Sequence, residues 1–171
     1  MRALIPFALF VVSFLPSPVE AQPRIMIGGG VTSPNGSLTQ SAATGYHGQV
    51  GLHVGIPTLP IAFRADGGFH RLSGVNASFA RTQILAGSLS GVLTLPGISL
   101  SPYLLAGVGT YRKESGAPGS TQTVSDTGYH GGFGVNIGAG GLGAFAEIRF
   151  VQINRETVTT RFIPLTFGIR L

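Results

Sequence analysis

The chain has 171 residues, 27 of them glycine and none cysteine, with 10% charged residues and a formal net charge of +5. That length suits one domain, and the absence of thiols excludes disulfide stapling and thiol chemistry. The basic residues are scattered, which excludes a nucleic-acid face, and the glycines follow no three-residue period, which excludes a collagen-like chain.

The N-terminus reads as an export signal. Met1-Arg2 is a short basic start, and Ala3 to Leu15 is an apolar run broken by Pro6 and Ser13. Pro16-Ser17-Pro18 breaks any helix, and Val19-Glu20-Ala21 places small residues at the −3 and −1 positions of a cleavage site. The apolar run is too short to span a bilayer. The expected division is a cleavable signal peptide over 1–21 and a mature domain over 22–171.

The rest alternates between apolar and polar or small residues with period two, the pattern of strands with two unlike faces. Eight strands are expected. Arg24–Val31 sets Ile25, Ile27 and Val31 against Arg24, Met26 and Gly28. Gly45–Gly55 sets Tyr46, Val50, Leu52 and Val54 against His47, Gln49, Gly51 and His53. Ile61–Arg71 sets Ile61, Phe63, Ala65 and Phe69 against Arg64, Asp66, Gly68 and His70. Arg81–Leu95 alternates Leu85, Leu89, Leu93 and Leu95 with Ala86, Ser88, Ser90 and Thr94. Ser101–Arg112 sets Leu104, Ala106, Val108 and Thr110 against Gly107 and Gly109, with Tyr103 and Leu105 on the glycine face. Gly128–Ala139, Ala144–Ile153 and Arg161–Leu171 complete the set. The connections alternate long and short. Thr32–Thr44, Leu72–Ala80, Lys113–Thr127 and Asn154–Thr160 read as long loops. Those near Pro57, Pro96 and Gly141 read as short turns. Membrane barrels sort their loops by side in this way, and strands of about 9–11 residues match a bilayer.

The polar faces decide which side meets lipid. They are rich in glycine and carry Arg64, Asp66, Glu147, Arg149 and Arg170, while the chain's single lysine, Lys113, falls in an expected loop. Opposite charges on one face suit internal pairing in a narrow lumen, and Arg170 is expected to turn inward toward Glu147 or Asp66. The large apolar residues then face lipid, including Leu165, Phe167, Ile169 and Leu171 of the last strand. Tyr46, Phe69, Tyr111 and Tyr129 at one end, and Phe63 and Tyr103 at the other, are expected to form two interfacial aromatic girdles. The fold class is an all-β, eight-stranded antiparallel transmembrane barrel.

The segments Pro102-Tyr103-Leu104-Leu105-Ala106-Gly107-Val108-Gly109, Gly132-Phe133-Gly134-Val135-Asn136-Ile137-Gly138-Ala139-Gly140 and Phe145-Ala146-Glu147-Ile148-Arg149-Phe150, with the ending Ile163–Leu171, carry a resemblance. They resemble the bacterial outer-membrane β-barrel domain family, which includes opacity-type and OmpX-like porin-family proteins. The resemblance implies an outer-membrane location and no cofactor. It implies contact with membrane lipids and lipopolysaccharide, delivery by the barrel-assembly machinery through the C-terminal strand, and external loops as the place for an extracellular ligand. The family usually ends on Phe or Tyr, and this chain ends on Leu171.

Catalytic and metal sites are not expected. His47 and His53 share a face but stand about 20 Å apart along a strand, too far to chelate one ion. Gly107-Val108-Gly109 and Gly132-Phe133-Gly134 lie within strands, without the following helix a phosphate cradle needs. One alternative is a lipid-modifying, deacylase-like barrel built on His70 and Ser73 with Glu114 or Glu156 as orienting acid. Another is a soluble periplasmic ligand-binding barrel. The expected role is structural or interactive, without a wide pore.

Overall fold

The computed structural model describes residues 23–75, 82–97, 100–117, 120–138, 143–154 and 159–171. The expected signal peptide over 1–21 lies outside the described residues. Eight strands form one closed sheet: β1 Pro23–Asn35, β2 Ala42–Gly55, β3 Ile61–Gly74, β4 Thr82–Thr94, β5 Leu100–Ala117, β6 Ser120–Ile137, β7 Gly143–Asn154 and β8 Thr159–Arg170. Each pairs antiparallel with its sequence neighbours, and β8 returns to β1 from Met26–Arg170 through Asn35–Arg161. Ile25 and Leu171 exchange backbone hydrogen bonds of 3.1 and 2.8 Å, which seals the seam at the end where the barrel begins and closes. This end also holds the junctions between β2 and β3, β4 and β5, and β6 and β7. The opposite end is called the far end below.

Alternation sorts every strand as its sequence requires. Ile25, Ile27, Val50, Leu52, Phe63, Leu85, Leu89, Val108, Phe133 and Phe167 point outward, each between 47% and 66% exposed. Residues of the opposite parity, among them Met26, Arg64, Asp66, Ser90, His130 and Glu147, point into the lumen and are buried. A soluble barrel would hide the first set. Here a continuous apolar wall surrounds a polar interior, which overturns the soluble periplasmic alternative.

Lumen glycines make room for bulky neighbours. A side chain at Gly134 would run into the Tyr103 ring, one at Gly168 into the Phe145 ring, and one at Gly51 into the Asp66 carboxylate. The glycine-rich polar faces therefore follow from packing large side chains inside a narrow barrel.

The expected long loops need correction. Within the expected loop Lys113–Thr127, Lys113–Ala117 and Ser120–Thr127 are instead the distal part of the β5–β6 hairpin, whose register runs through Lys113–Val124 to Ala117–Ser120. Thr121, Thr123, Val124 and Thr127 are β-branched and favour extended backbone, so pairing continues where polarity alone suggested a loop. The connection after β1 is likewise shorter than Thr32–Thr44, because β1 continues to Asn35 and a 3-10 turn, Gly36–Gln40, leads into β2 at Ala42. The asymmetry of the two ends is thus expressed in strand length: β5 and β6 have 18 residues each, against 12 in β7 and β8.

Candidate functional site: the lumen and the two faces of the wall

Arg64 and Asp66 are two residues apart on β3, so both enter the lumen, as do Glu147 and Arg149 on β7. In a ring of eight strands β3 and β7 stand on opposite walls, and the four side chains meet across the interior. Arg64 donates through Nε to Asp66 Oδ2 at 3.1 Å and through a terminal nitrogen to Glu147 Oε2 at 2.7 Å. Arg149 donates to Asp66 Oδ2 at 3.0 Å and through Nε to Glu147 Oε1. Two cations and two anions close a neutral ring that spans the barrel, and Arg64 and Glu147 are each 1% exposed. The Tyr103 hydroxyl also donates to Glu147 Oε2, at 2.7 Å.

Arg170 does not join this ring. It lies half-buried near the terminal end, opposite Gly143, and makes no ion pair among the described residues. Both carboxylates it was expected to reach are occupied by Arg64 of β3 and Arg149 of β7.

On the far side of the ring the lumen carries histidine and hydroxyl side chains. His47 and His70 are register partners with ring centroids 5.1 Å apart. Thr32 Oγ1 stands 3.0 Å from Nδ1 of each, and His47 Nε2 lies 2.8 Å from Thr166 Oγ1. His130 Nε2 meets Ser90 Oγ at 2.8 Å. Each of these three imidazoles is paired with hydroxyls, and no group of three or more metal-ligating side chains occurs among the described residues. Above them is an apolar plug in which Leu38, from the 3-10 turn, packs with Leu72, Ile84, Tyr111, Val151, Ile153 and Phe162. Between ring and plug is a cavity of about 20 Å³ lined by Asp66, His70, Tyr111 and Arg149 among others, room for about one water.

Two expected girdle residues belong inside. Tyr103 and Tyr111 are 2% and 4% exposed, because both share the parity of Gly107 and Gly109. Tyr46, Phe63, Phe69 and Tyr129 face outward. The deacylase arrangement also fails geometrically: His70 is buried in the lumen and hydrogen-bonded to Thr32, while Ser73 lies on the opposite, outward face of β3. Glu114 is held by the exposed Arg112 at 3.2 Å, and Glu156 lies outside the described residues. The last strand stands as its alternation requires, with Leu165, Phe167, Ile169 and Leu171 between 36% and 58% exposed on the outer wall. Thr32, Ser90, Thr166 and Leu38 were not singled out by sequence. The three hydroxyls share lumen parity with the histidines, which was a usable signal, whereas nothing local marks Leu38 as a plug.

A closed antiparallel barrel with an apolar exterior and an ion-paired interior defines a membrane-spanning β-barrel. Residues 5–170 match the model of the outer membrane protein beta-barrel domain, and the chain belongs to that family, whose members reside in the bacterial outer membrane. Neisserial surface protein A is similar in structure, with a TM-score of 0.74 and 18% identity over 87% of this chain and 96% of that one. Ail, the attachment invasion locus protein of Yersinia pestis, has a TM-score of 0.59 and 12% identity over 87% of this chain and 97% of that one. The N-terminal barrel domain of Pseudomonas aeruginosa OprF has a TM-score of 0.54 and 15% identity over 86% and 95%. These likenesses carry the fold alone. No curated protein matches the chain at a significant level.

Proposed function

We propose that this outer-membrane barrel is a non-catalytic surface protein, closed to diffusion, that acts through its far end. The far end faces outside, and the start of β1, the end of β8 and the junctions β2–β3, β4–β5 and β6–β7 face the periplasm, as in other outer-membrane barrels. The observation that carries the interactive role is the β5–β6 hairpin. Pairing with β4 stops at Gln83–Glu114 and pairing with β7 stops at Gly128–Ile153, while β5 and β6 continue together to Ala117–Ser120. Among the described residues the hairpin therefore rises beyond its neighbours with strand edges that have no ladder partner, a form suited to contact with another surface. The ionic ring and the apolar plug both cross the lumen, which supports a closed interior. The separation of His70 from Ser73 supports a role without catalysis. Two further partners fit this reading. The outward apolar parity of β8 suits recognition by the assembly machinery, and Arg71 and Arg112 on the outer wall suit the phosphates of lipopolysaccharide.

Shortening the hairpin by deleting 114–123 tests the interactive role. The expected outcome is a barrel that still migrates differently in boiled and unboiled gel lanes, on cells that lose adhesion to immobilised extracellular-matrix proteins. Adhesion unchanged by the deletion on properly folded protein would remove the hairpin from the function.

A further inference from the structure

Charge is absent from the middle of the outer wall and gathers toward its far end. Among the described residues, the charged side chains on outward strand positions are Arg71, Arg112, Glu114 and Arg161. Arg161 is held by Gln152, its Nε donating to Oε1 at 2.9 Å. Arg71 and Arg112 flank β4, where Arg71 pairs with Gln83 and Arg112 with Leu85. Two strand spacings across and two residues along place their Cα atoms roughly 12 Å apart, within convergence range of two long side chains. Arg71 donates to the Tyr46 hydroxyl at 3.4 Å, and Arg112, 55% exposed, meets Glu114 at 3.2 Å. A guanidinium has five donors, so both keep donors for an anion.

Below this pair the wall is hollow. Gly67, Gly87, Thr110 and Thr127 occupy successive register positions across β3, β4, β5 and β6. A side chain added at Gly67 or Gly87 would meet nothing within 4 Å, unlike the lumen glycines that packing demands. Over β4, β5 and β6 this row carries a depression of about 380 Å³, lined by Gly87, Leu89, Val108, Thr110 and Thr127, a volume in the range of about 300–1,000 Å³ typical of ligand sites. Arg112 stands two residues beyond Thr110 on the same face, roughly 7 Å along the strand. Cationic forks thus sit above an apolar hollow.

We propose that this wall binds one phosphorylated lipid of the outer leaflet, the lipid A part of lipopolysaccharide, with Arg71 and Arg112 on phosphate and an acyl chain in the hollow. The site rests on the reading that the far end is outside. Guanidinium forks match phosphate oxygens in pairs, and the hollow distinguishes a lipid from free phosphate, which has nothing to place there. A second copy of the chain fits less well. Inserted in the same membrane direction, it would bring its own arginines to the same height, like charge against like. Glu114 opposes the anion, but its exposed pair with Arg112 is weak and gives way to phosphate.

The test uses the full barrel in neutral detergent, with gel mobility as the fold check, titrated with diphosphoryl lipid A, its dephosphorylated form and inorganic phosphate. Saturable binding of diphosphoryl lipid A is expected, far tighter than that of the other two. Arg71→Gln and Arg112→Gln should each weaken it roughly tenfold. Gly87→Leu should weaken it by filling the hollow, Glu114→Gln should tighten it, and Arg161→Gln should leave it unchanged. Equal losses from Arg71→Gln, Arg112→Gln and Arg161→Gln would overturn the site in favour of a diffuse basic rim. So would a Gly87→Leu variant that binds normally, or one that instead abolishes a dimer in lipid-free detergent. A tag inserted between 117 and 120 and labelled on intact cells tests orientation separately. No labelling there would refute the far-end-out reading rather than the binding chemistry.

Discussion

At the scale of single residues, the lumen is governed by stoichiometry of charge. Arg64, Asp66, Glu147 and Arg149 are mutually satisfied, so deleting one leaves a buried ion without its counterpart. Glu147 has the most to lose, because it accepts from Arg64, Arg149 and Tyr103 together. Glu147→Ala is expected to cost about 3–5 kcal/mol, read as a lower urea midpoint for loss of the unboiled gel band in detergent. Replacing all four members by Leu or Met of similar bulk should cost much less, since no orphan charge remains. If the single and quadruple variants unfold at the same midpoint, the ring is not held by charge balance. Packing adds a second residue-scale constraint. Gly134→Leu forces the Tyr103 ring from its place and is expected to destabilise the barrel by about 1–3 kcal/mol. Tyr103→Ala in the same chain should recover part of that loss. No recovery would show that the glycine answers to something other than the tyrosine.

At the scale of strands, parity explains what the sequence could reveal and what it could not. Alternation is a local property, so spacing put Arg64, Asp66, Glu147 and Arg149 on the face opposite to the large apolar residues, and the glycine and paired charges of that polar face then said which side turns inward. Tyr103 and Tyr111 carried the same information through their parity with Gly107 and Gly109, and an expectation based on height along the strand was the weaker guide. Arg170 shows the limit of parity: it does turn from the lipid side, but which carboxylate a side chain meets depends on where opposite walls place their charges. The extent of β5 and β6 was hidden for another reason. Ser, Thr and Gly suit loops and polar hairpins equally, and only a neighbouring strand with matching register decides between them. The strand ending makes its own prediction. Leu171 stands outward at the seam with its backbone paired to Ile25, so on the proposal that the outer face of β8 is read during assembly, Leu171→Phe alters that recognition and little inside the barrel. It is expected to raise the folded fraction in the outer membrane without altering the urea midpoint of the purified protein. A changed midpoint would assign the effect to barrel stability.

At the scale of the molecule, the proposed closure of the interior rests on two barriers of unrelated physics. The ionic ring fills the middle of the lumen with four large side chains, and the apolar plug closes the far end with Leu38, Leu72, Ile84, Tyr111, Val151, Ile153 and Phe162. An ion approaching from the far end meets a dry apolar barrier, where desolvation is costly. From the other side it meets side chains that already satisfy one another and have little to offer it. Two seals in series mean that opening either one leaves the path blocked. Leu38→Ala removes buried apolar contacts at a cost of about 2–5 kcal/mol but leaves the ring intact. Arg64→Ala with Glu147→Ala hollows the ring, keeps the lumen neutral and leaves the plug in place. Each variant alone is therefore expected to give the same quiet baseline as the parent chain in planar-bilayer recordings. Combining all three substitutions should produce discrete conductance steps, since a water-filled route then joins the two ends. Conductance from the ring variant alone would show the plug to be permeable, and the closed interior would then rest on the four charged side chains.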